Sequence, residues 1–96
     1  MYGTVARMQT KTGALQALRD MEMRKPKGFI RSFVYQMDRD PDEWLLVVMF
    51  ESKDAYLANA GSTEQDEEYR RLRAQLKGDP QWNDGAIIFD TLSAGN

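Results

Sequence analysis

The sequence predicts an α+β fold of the ferredoxin-like type, in which an antiparallel sheet carries its helices on one face. Three observations support this prediction. Segments typical of strands and helices follow one another in the order βαββαβ, the helical segments can cover only one face of a sheet, and the most apolar segment has the length of a strand. That segment is Trp44 to Phe50 in EWLLVVMFES. It is far too short to span a bilayer, and it contains two β-branched valines.

Both faces of this strand are apolar. Side chains alternate along a strand, so Trp44, Leu46, Val48 and Phe50 share one face, and Leu45, Val47 and Met49 share the other. A sheet that shows one face to water normally alternates polar with apolar residues. We therefore expect something to cover each face.

The elements before this strand are a strand, a helix and a second strand. YGTVARMQ, residues 2–9, is the first strand. Thr12 is a candidate N-cap for a helix in ALQALRDMEMR, which Pro26 ends at or before Lys25. FIRSFVYQM, residues 29–37, is the second strand, with odd-numbered residues on one face, and the polar loop DRDPDE, residues 38–43, makes a hairpin into the apolar strand.

The elements after it are two helical segments and a closing strand. Ser52 can cap a helix over residues 53–60, which Gly61 interrupts. Ser62 and Gln65 have the spacing of a capping box for a second helix, which Gly78 and Pro80 end. AIIFDTL, residues 86–92, is the last strand.

Composition limits what this chain can do. We expect one domain, residues 1–96, in the cytoplasm, because MYGTVARM lacks the pattern of a secretory signal and no apolar run could span a membrane. The chain has no cysteine and no histidine, which removes thiolate chemistry, the usual zinc and haem ligands and the usual general base. A net charge of −2 argues against a nucleic-acid partner.

The face without helices predicts a homodimer. Several of Ile30, Val34, Leu45, Val47, Met49 and Ile88, or the alternate set, would form a patch larger than a monomer usually exposes. We expect two sheets to face each other about a two-fold axis.

The chain resembles the antibiotic biosynthesis monooxygenase family, whose members form a dimeric α+β barrel. The resemblance lies in VARMQTKTGALQALRD, KGFIRSFVYQMDRDPDEWLLVVMFESKDAYLANA and GAIIFDTL, and it extends over nearly the whole chain. It implies a monooxygenase that acts on a quinol or a polycyclic phenol without metal or flavin. The haem-degrading branch has an asparagine, a tryptophan and a histidine near the places of Ala6, Asn59 and Tyr69, and none of these matches, so haem cleavage is not expected.

Such an enzyme needs a dry pocket with polar groups that stabilise a phenolate, and we expect that pocket between the sheet and the helices of residues 53–76. Asn59 is the candidate hydrogen-bond donor to the substrate oxygen; a helix-surface or capping amide is the alternative interpretation. Tyr69 is a candidate phenolic donor, although it falls on the apolar stripe of its helix and suits a core ring with its hydroxyl at the edge better. Tyr56 is a second phenolic donor.

Thr4 and Arg31 are candidate substrate-binding residues on the sheet. Arg31 suits either anion binding or an ion pair in a dimer. Trp44 and Trp82 suit packing better than a substrate platform. The acidic run EQDEE suits a solvated helix start better than a metal site, and we expect no metal and no cofactor.

Two further interpretations remain open. The chain could be a non-catalytic dimeric module, involved in ligand binding or stress, that uses the same pocket to hold an apolar ligand. It could also be a scaffold whose pocket is filled by its own side chains, with Met8, Met21 and Met37 as flexible filler.

Overall fold

The computed structural model describes residues 1–92. Its elements are β1 (Tyr2–Gln9), α1 (Ala14–Asp20), β2 (Phe29–Met37), β3 (Asp40–Phe50), α2 (Lys53–Ala60), α3 (Thr63–Arg73) and β4 (Asp84–Ala86). The strands form one antiparallel sheet in the order β2-β3-β1-β4, which is the ferredoxin-like order. The predicted fold is therefore confirmed. Within residues 1–92, no helix is long and apolar enough to cross a membrane.

The apolar strand lies inside the sheet, between β2 and β1. It pairs with β1 from Tyr2 opposite Phe50 to Gln9 opposite Glu43. It begins at Asp40, earlier than predicted, because Met37 already pairs with Asp40 across a two-residue turn. The predicted loop of residues 38–43 is thus wrong in length, although the hairpin is confirmed.

One face of the sheet packs against the helices. Met8, Ala14, Trp44 and Leu76 form the buried core there, and Phe50 is also buried. The alternation predicted for β3 holds, since Trp44, Leu46, Val48 and Phe50 all lie toward the helices.

The other face carries exposed apolar side chains. The register places Val5, Val47 and Phe33 side by side across three strands, with Leu45 beside Tyr35 in the next row. Val5, Phe33 and Tyr35 are exposed among the described residues. We refer to this surface, formed by Val5, Phe33, Tyr35, Leu45, Val47 and Met49, as the outer face.

A β-bulge at Ile30 changes which residues share a face of β2. Phe29 pairs with Phe50 and Arg31 with the adjacent Met49, so Ile30 is an extra residue in β2. Phe29 consequently faces the helices while Arg31 and Phe33 face outward. The expectation that Phe29 shares a face with these two residues is wrong. The expectation that Val34 lies on the same face of the sheet as Val47 is also wrong, because Val34 lies toward the helices.

The first helix is shorter than predicted and is capped differently. It ends at Asp20, and Met21 is already extended with ψ 133°. Gly13, not Thr12, is the N-cap residue, in the left-handed conformation with φ 84° and without a side-chain cap. The chain leaves the helix early because residues 21–27 extend toward α3, where Arg24 has its partner.

The last strand is also shorter than predicted. β4 covers Asp84–Ala86 instead of residues 86–92. Its partner β1 starts at Tyr2 opposite Ala86, and the amide of Ile87 donates to the carbonyl of Met1 at 2.9 Å. The following residues have therefore passed the end of the neighbouring strand, and Ile88, Phe89 and Leu92 are exposed.

Candidate functional site

A cavity of about 400 Å³ lies between the sheet and the helices. Thr4, Met8 and the inward side chains of β3 form its floor, and α2, α3 and the segment of residues 21–26 form its walls. Most of the lining is apolar, with a few polar side chains among it. This size and composition are typical of small-molecule sites.

Four of the five predicted site residues lie together around this cavity. They are Thr4 from β1, Tyr56 and Asn59 from α2 and Tyr69 from α3. Arg31 does not line it. The bulge places Arg31 on the outer face, where its guanidinium carbon lies 5.1 Å from the centre of the Phe33 ring.

Serine caps position both helices of the site as predicted. Ser52 Oγ accepts a hydrogen bond from the amide of Ala55, and Ser62 Oγ accepts one from the amide of Gln65, each at 3.1 Å. The second half of the predicted capping box is not formed. The Gln65 side chain instead contacts Asn59, at the end of the preceding helix.

Asn59 belongs to a polar network at the cavity wall. Its Oδ1 accepts a hydrogen bond from Arg24 Nη2 at 2.9 Å, and its Nδ2 donates to Gln65 Oε1 at 3.1 Å. Arg24 Nε donates to Glu68 Oε2 at 2.6 Å. The Glu68 side chain is only 12% exposed, so this ion pair is partly shielded from water.

This network determines which end of the Asn59 amide is the donor. A guanidinium only donates hydrogen bonds, so the Asn59 atom beside Arg24 must be the oxygen. The nitrogen then points away from Arg24 and has two hydrogens, of which Gln65 takes one. Asn59 lines the cavity and therefore keeps an N–H that a ligand there could accept.

Tyr56 forms a second polar group with Asp84 and Thr4. Its hydroxyl donates to Asp84 Oδ1 at 2.9 Å. Burial, together with the hydrogen bond from Tyr56 to the Asp84 carboxylate, raises the pKa of Tyr56 to about 12, and the nearby Thr4 hydroxyl offsets this only in part. Thr4 Oγ1 is buried and has no geometrically aligned hydrogen-bond partner among residues 1–92.

Aromatic rings support both tyrosines. The Tyr56 ring lies 5.3 Å from that of Tyr2 and 5.7 Å from that of Phe50. The Tyr69 ring lies 5.9 Å from that of Trp82, and both rings line the cavity. Trp44 is a core residue whose indole N–H donates to the carbonyl of Pro41, which agrees with its predicted packing role.

No group of three or more acidic side chains within residues 1–92 is arranged to hold a metal ion. Of the acidic run, Asp66 pairs with Arg70 and Glu68 with Arg24. This agrees with the interpretation of that run as a helix start.

Sequence reasoning missed Arg24, Glu68 and Asp84 as site residues. Arg24 fell inside the predicted first helix, one turn from Asp20, and its real partner is 44 positions away. Asp84 lay in what looked like an ordinary turn, NDG. The chain offers no local pattern that would have placed Arg24 and Glu68 at the cavity or Asp84 beside Tyr56.

Comparison with known proteins places the chain among relatives of one kind. The family model described as antibiotic biosynthesis monooxygenase matches residues 1–75. A search of curated proteins by sequence found no match. Several solved structures are similar, at identities that bear on the fold alone.

Three of those structures illustrate the similarity. SnoaB, a cofactor-independent oxygenase from Streptomyces nogalater solved as a mutant, has a TM-score of 0.74 at 10% identity, covering 93% of this chain and 94% of its own. Rv0793 from Mycobacterium tuberculosis has a TM-score of 0.71 at 18% identity, covering 93% and 96%. A conserved protein from Methanosarcina mazei has a TM-score of 0.72 at 19% identity, covering 88% and 89%.

Proposed function

This chain belongs to the antibiotic biosynthesis monooxygenase family, and we propose that it is a monooxygenase of a quinol or polycyclic phenol that works without metal or flavin. The observation that carries the proposal is the cavity of about 400 Å³, an apolar space at whose wall the Asn59 amide is held as a donor. It has the size to accept an aromatic substrate, and its polar groups are few and convergent. SnoaB, the cofactor-independent oxygenase with the same fold, provides a precedent.

The reaction balances without a further reductant. A hydroquinone and dioxygen give a hydroxyquinone and water. The substrate loses a proton from a hydroxyl group and passes an electron to dioxygen, and the two radicals combine to form a carbon–oxygen bond. The oxygen–oxygen bond then breaks, one oxygen stays on the ring and the other leaves as water. The substrate supplies all four electrons.

The proposed role of Asn59 is to stabilise the phenolate. Its second amide hydrogen would bond to a substrate oxygen whose charge increases on deprotonation, and such donors act most strongly where water is excluded. Tyr69, held against Trp82, would place its hydroxyl beside the substrate ring. The apolar floor formed by Leu46 and Val48 would keep the reacting oxygen dry.

Oxygen uptake with a panel of hydroquinones and naphthoquinols tests this function. Wild-type protein should consume oxygen, Asn59→Ala should be slower by about a hundredfold and Tyr69→Phe should also be impaired. Wild-type protein that is inert toward the whole panel would contradict the proposal. If naphthol then still raises the melting temperature of the inert protein, the binding-module interpretation is favoured, because a ligand that binds only the folded state stabilises it.

We also propose that the outer face pairs with that of a second copy. Val5, Phe33 and Tyr35 expose apolar surface there, next to Leu45, Val47 and Met49 in the same register rows. Burying such a patch between two sheets removes it from water, which is the main force in protein association. Arg31 lies on this face, which supports the interpretation of Arg31 as an interface residue.

A further inference from the structure

The proposed reaction must take a proton from the substrate hydroxyl, and the chain has no histidine to receive it. A carboxylate is the next common acceptor. Asp66 and Glu68 line the cavity, but Arg70 and Arg24 hold them in ion pairs. A third carboxylate, Asp84, lies within reach of the cavity through a single side chain. Asp84 accepts the hydroxyl hydrogen bond of Tyr56 at 2.9 Å, and Tyr56 lines the cavity.

The direction of this hydrogen bond decides what Tyr56 can do for a ligand. A phenol hydroxyl has one hydrogen, and Tyr56 already gives it to Asp84. Toward the cavity, Tyr56 can therefore only accept a hydrogen bond, which differs from the donor role expected from the sequence. A substrate hydroxyl, which must lose its proton, is the matching donor.

The surroundings keep the three groups in place. Thr4 and Asp84 are direct partners in the pairing of β1 with β4, and Tyr56 packs over them from α2. The buried Thr4 hydroxyl has no aligned partner among the described residues, and it is close enough to Tyr56 to influence that phenol. The other titratable groups close by are Tyr2, from β1, and Lys53, whose ammonium lies 5.7 Å from the centre of the Tyr2 ring.

We infer that Tyr56 and Asp84 form a relay that carries the substrate proton out of the cavity. The substrate O–H bond breaks and a new O–H bond forms on Tyr56, while the original hydrogen of Tyr56 moves to Asp84 Oδ1. Negative charge thus passes from Asp84 to the substrate. Asp84 is exposed and returns the proton to water. This inference depends on the proposed function for the reaction it serves.

Asp84→Asn separates a relay from a structural role. Asparagine keeps an oxygen that can accept the Tyr56 hydrogen bond but has no basic carboxylate. For a relay, kcat/KM for oxygen uptake should fall by about a hundredfold, the lower end of what a general base contributes. The matched control is Asp79→Asn, an exposed aspartate paired with Arg73 outside the cavity, which should retain wild-type rates.

Chemical rescue gives a second readout. In Asp84→Ala, added acetate should restore oxygen uptake in proportion to its concentration, because the exposed position lets a small carboxylate replace the lost one. Activity in Asp84→Asn equal to that of Asp79→Asn, or no rescue of Asp84→Ala by acetate, would overturn the relay.

A binding measurement keeps this test independent of turnover. Naphthol, which can donate to Tyr56, should bind wild-type protein about fivefold more tightly than its methyl ether, which cannot. In Tyr56→Phe that preference should vanish. If wild-type protein turns over no quinol but shows the preference, the proposed function fails while the acceptor role of Tyr56 stands. Equal binding of naphthol and its ether by wild-type protein would overturn the inference itself.

Discussion

Arg24 Nη2 donates to Asn59 Oδ1 at 2.9 Å, across 35 positions of sequence. This contact joins the segment after α1 to the last turn of α2. The same guanidinium also donates to Glu68 of α3. An asparagine amide can otherwise turn over and exchange its oxygen for its nitrogen. Arg24 permits only one orientation, in which the amide nitrogen keeps a second hydrogen beyond the one given to Gln65.

Loss of Arg24 should therefore weaken the hydrogen bond from the Asn59 amide to a ligand without abolishing it. In Arg24→Met the Asn59 amide can present its oxygen to the ligand, so the pKa of bound para-nitrophenol should rise by about 1. The absorbance of the nitrophenolate during a pH titration measures this. Arg24→Lys keeps the charge beside Glu68, but its single nitrogen cannot join Glu68 to Asn59 as the fork does, so it should show the same change in smaller degree.

Two controls define the result. Arg71→Met, the same change on the exposed side of α3, should leave the nitrophenol titration unchanged. In an Asn59→Ala background, Arg24→Met should add nothing further, because its effect passes through Asn59. A further rise in that background would mean that Arg24 acts on the ligand by another route.

The Tyr56 phenol should ionise late. Since burial and the bond to Asp84 raise its pKa to about 12, the ultraviolet difference titration of wild type against Tyr56→Phe should have its midpoint there rather than near 10. The folded state holds this proton more tightly than the unfolded state. The resulting stabilisation is complete below pH of about 10 and is lost as the pH rises through about 12. A midpoint near 10 would contradict the packing of Tyr56.

Glycine is required at position 3. A Cβ there would lie 1.8 Å from the carbonyl oxygen of Val48, a backbone atom of the neighbouring strand. Gly3→Ala should reduce the free energy of unfolding by about 3 kcal/mol or more, measured by urea denaturation. Gly85→Ala is the control, because a Cβ at Gly85 meets nothing within 4 Å. Equal stability of the two variants would show that the strands can separate at no cost.

Acid should weaken the protein partly through Glu43. Its buried carboxylate lies 2.8 Å from Arg39 and 2.6 Å from Arg7, and the hydrogen bonds from these two arginines hold its pKa below the ordinary value. The stabilisation is present above the unfolded pKa of about 4.3 and is lost as the pH falls through the lower folded value. The difference in free energy of unfolding between wild type and Glu43→Gln should therefore shrink as the pH falls through that range. Glu22→Gln, at an exposed position, should have the wild-type free energy of unfolding at every pH.

The outer face should set the oligomeric state. Wild-type protein should show twice the chain mass of 11.1 kDa in light scattering after size exclusion. Phe33→Lys places a charge on the outer face and should give a single-chain particle, while Leu57→Lys, at an exposed apolar position on α2, should not. A wild-type particle of single-chain mass would contradict the proposed pairing.

The parts of the fold that depend on local pattern were predictable. The apolar run of β3 and its alternation gave the central strand and its inner face, and Ser52 and Ser62 gave the helix starts. Asn59, Tyr56 and Tyr69 were expected at a pocket between the sheet and these helices, and all three line the cavity there.

The parts that depend on distant partners were not predictable. The closing strand ends early because its partner β1, from a distant part of the chain, starts at Tyr2 opposite Ala86. Arg24 lies beyond the end of the first helix and pairs with Glu68. The one-residue bulge at Ile30 places Arg31 outside the cavity. In each case, local propensity was overridden by a contact that no short window contains.

The extra residue at Ile30 has a consequence for how copies of this chain can meet. β2 is an outer strand of the sheet, and within residues 1–92 no strand pairs with its outer row of peptide groups. Unpaired peptide groups along a straight edge strand can form hydrogen bonds with the edge strand of another copy, and repetition of this pairing produces open-ended aggregates. The kink interrupts the row near its start, so self-assembly along this rim is discouraged and contact between flat surfaces is left as the favoured route.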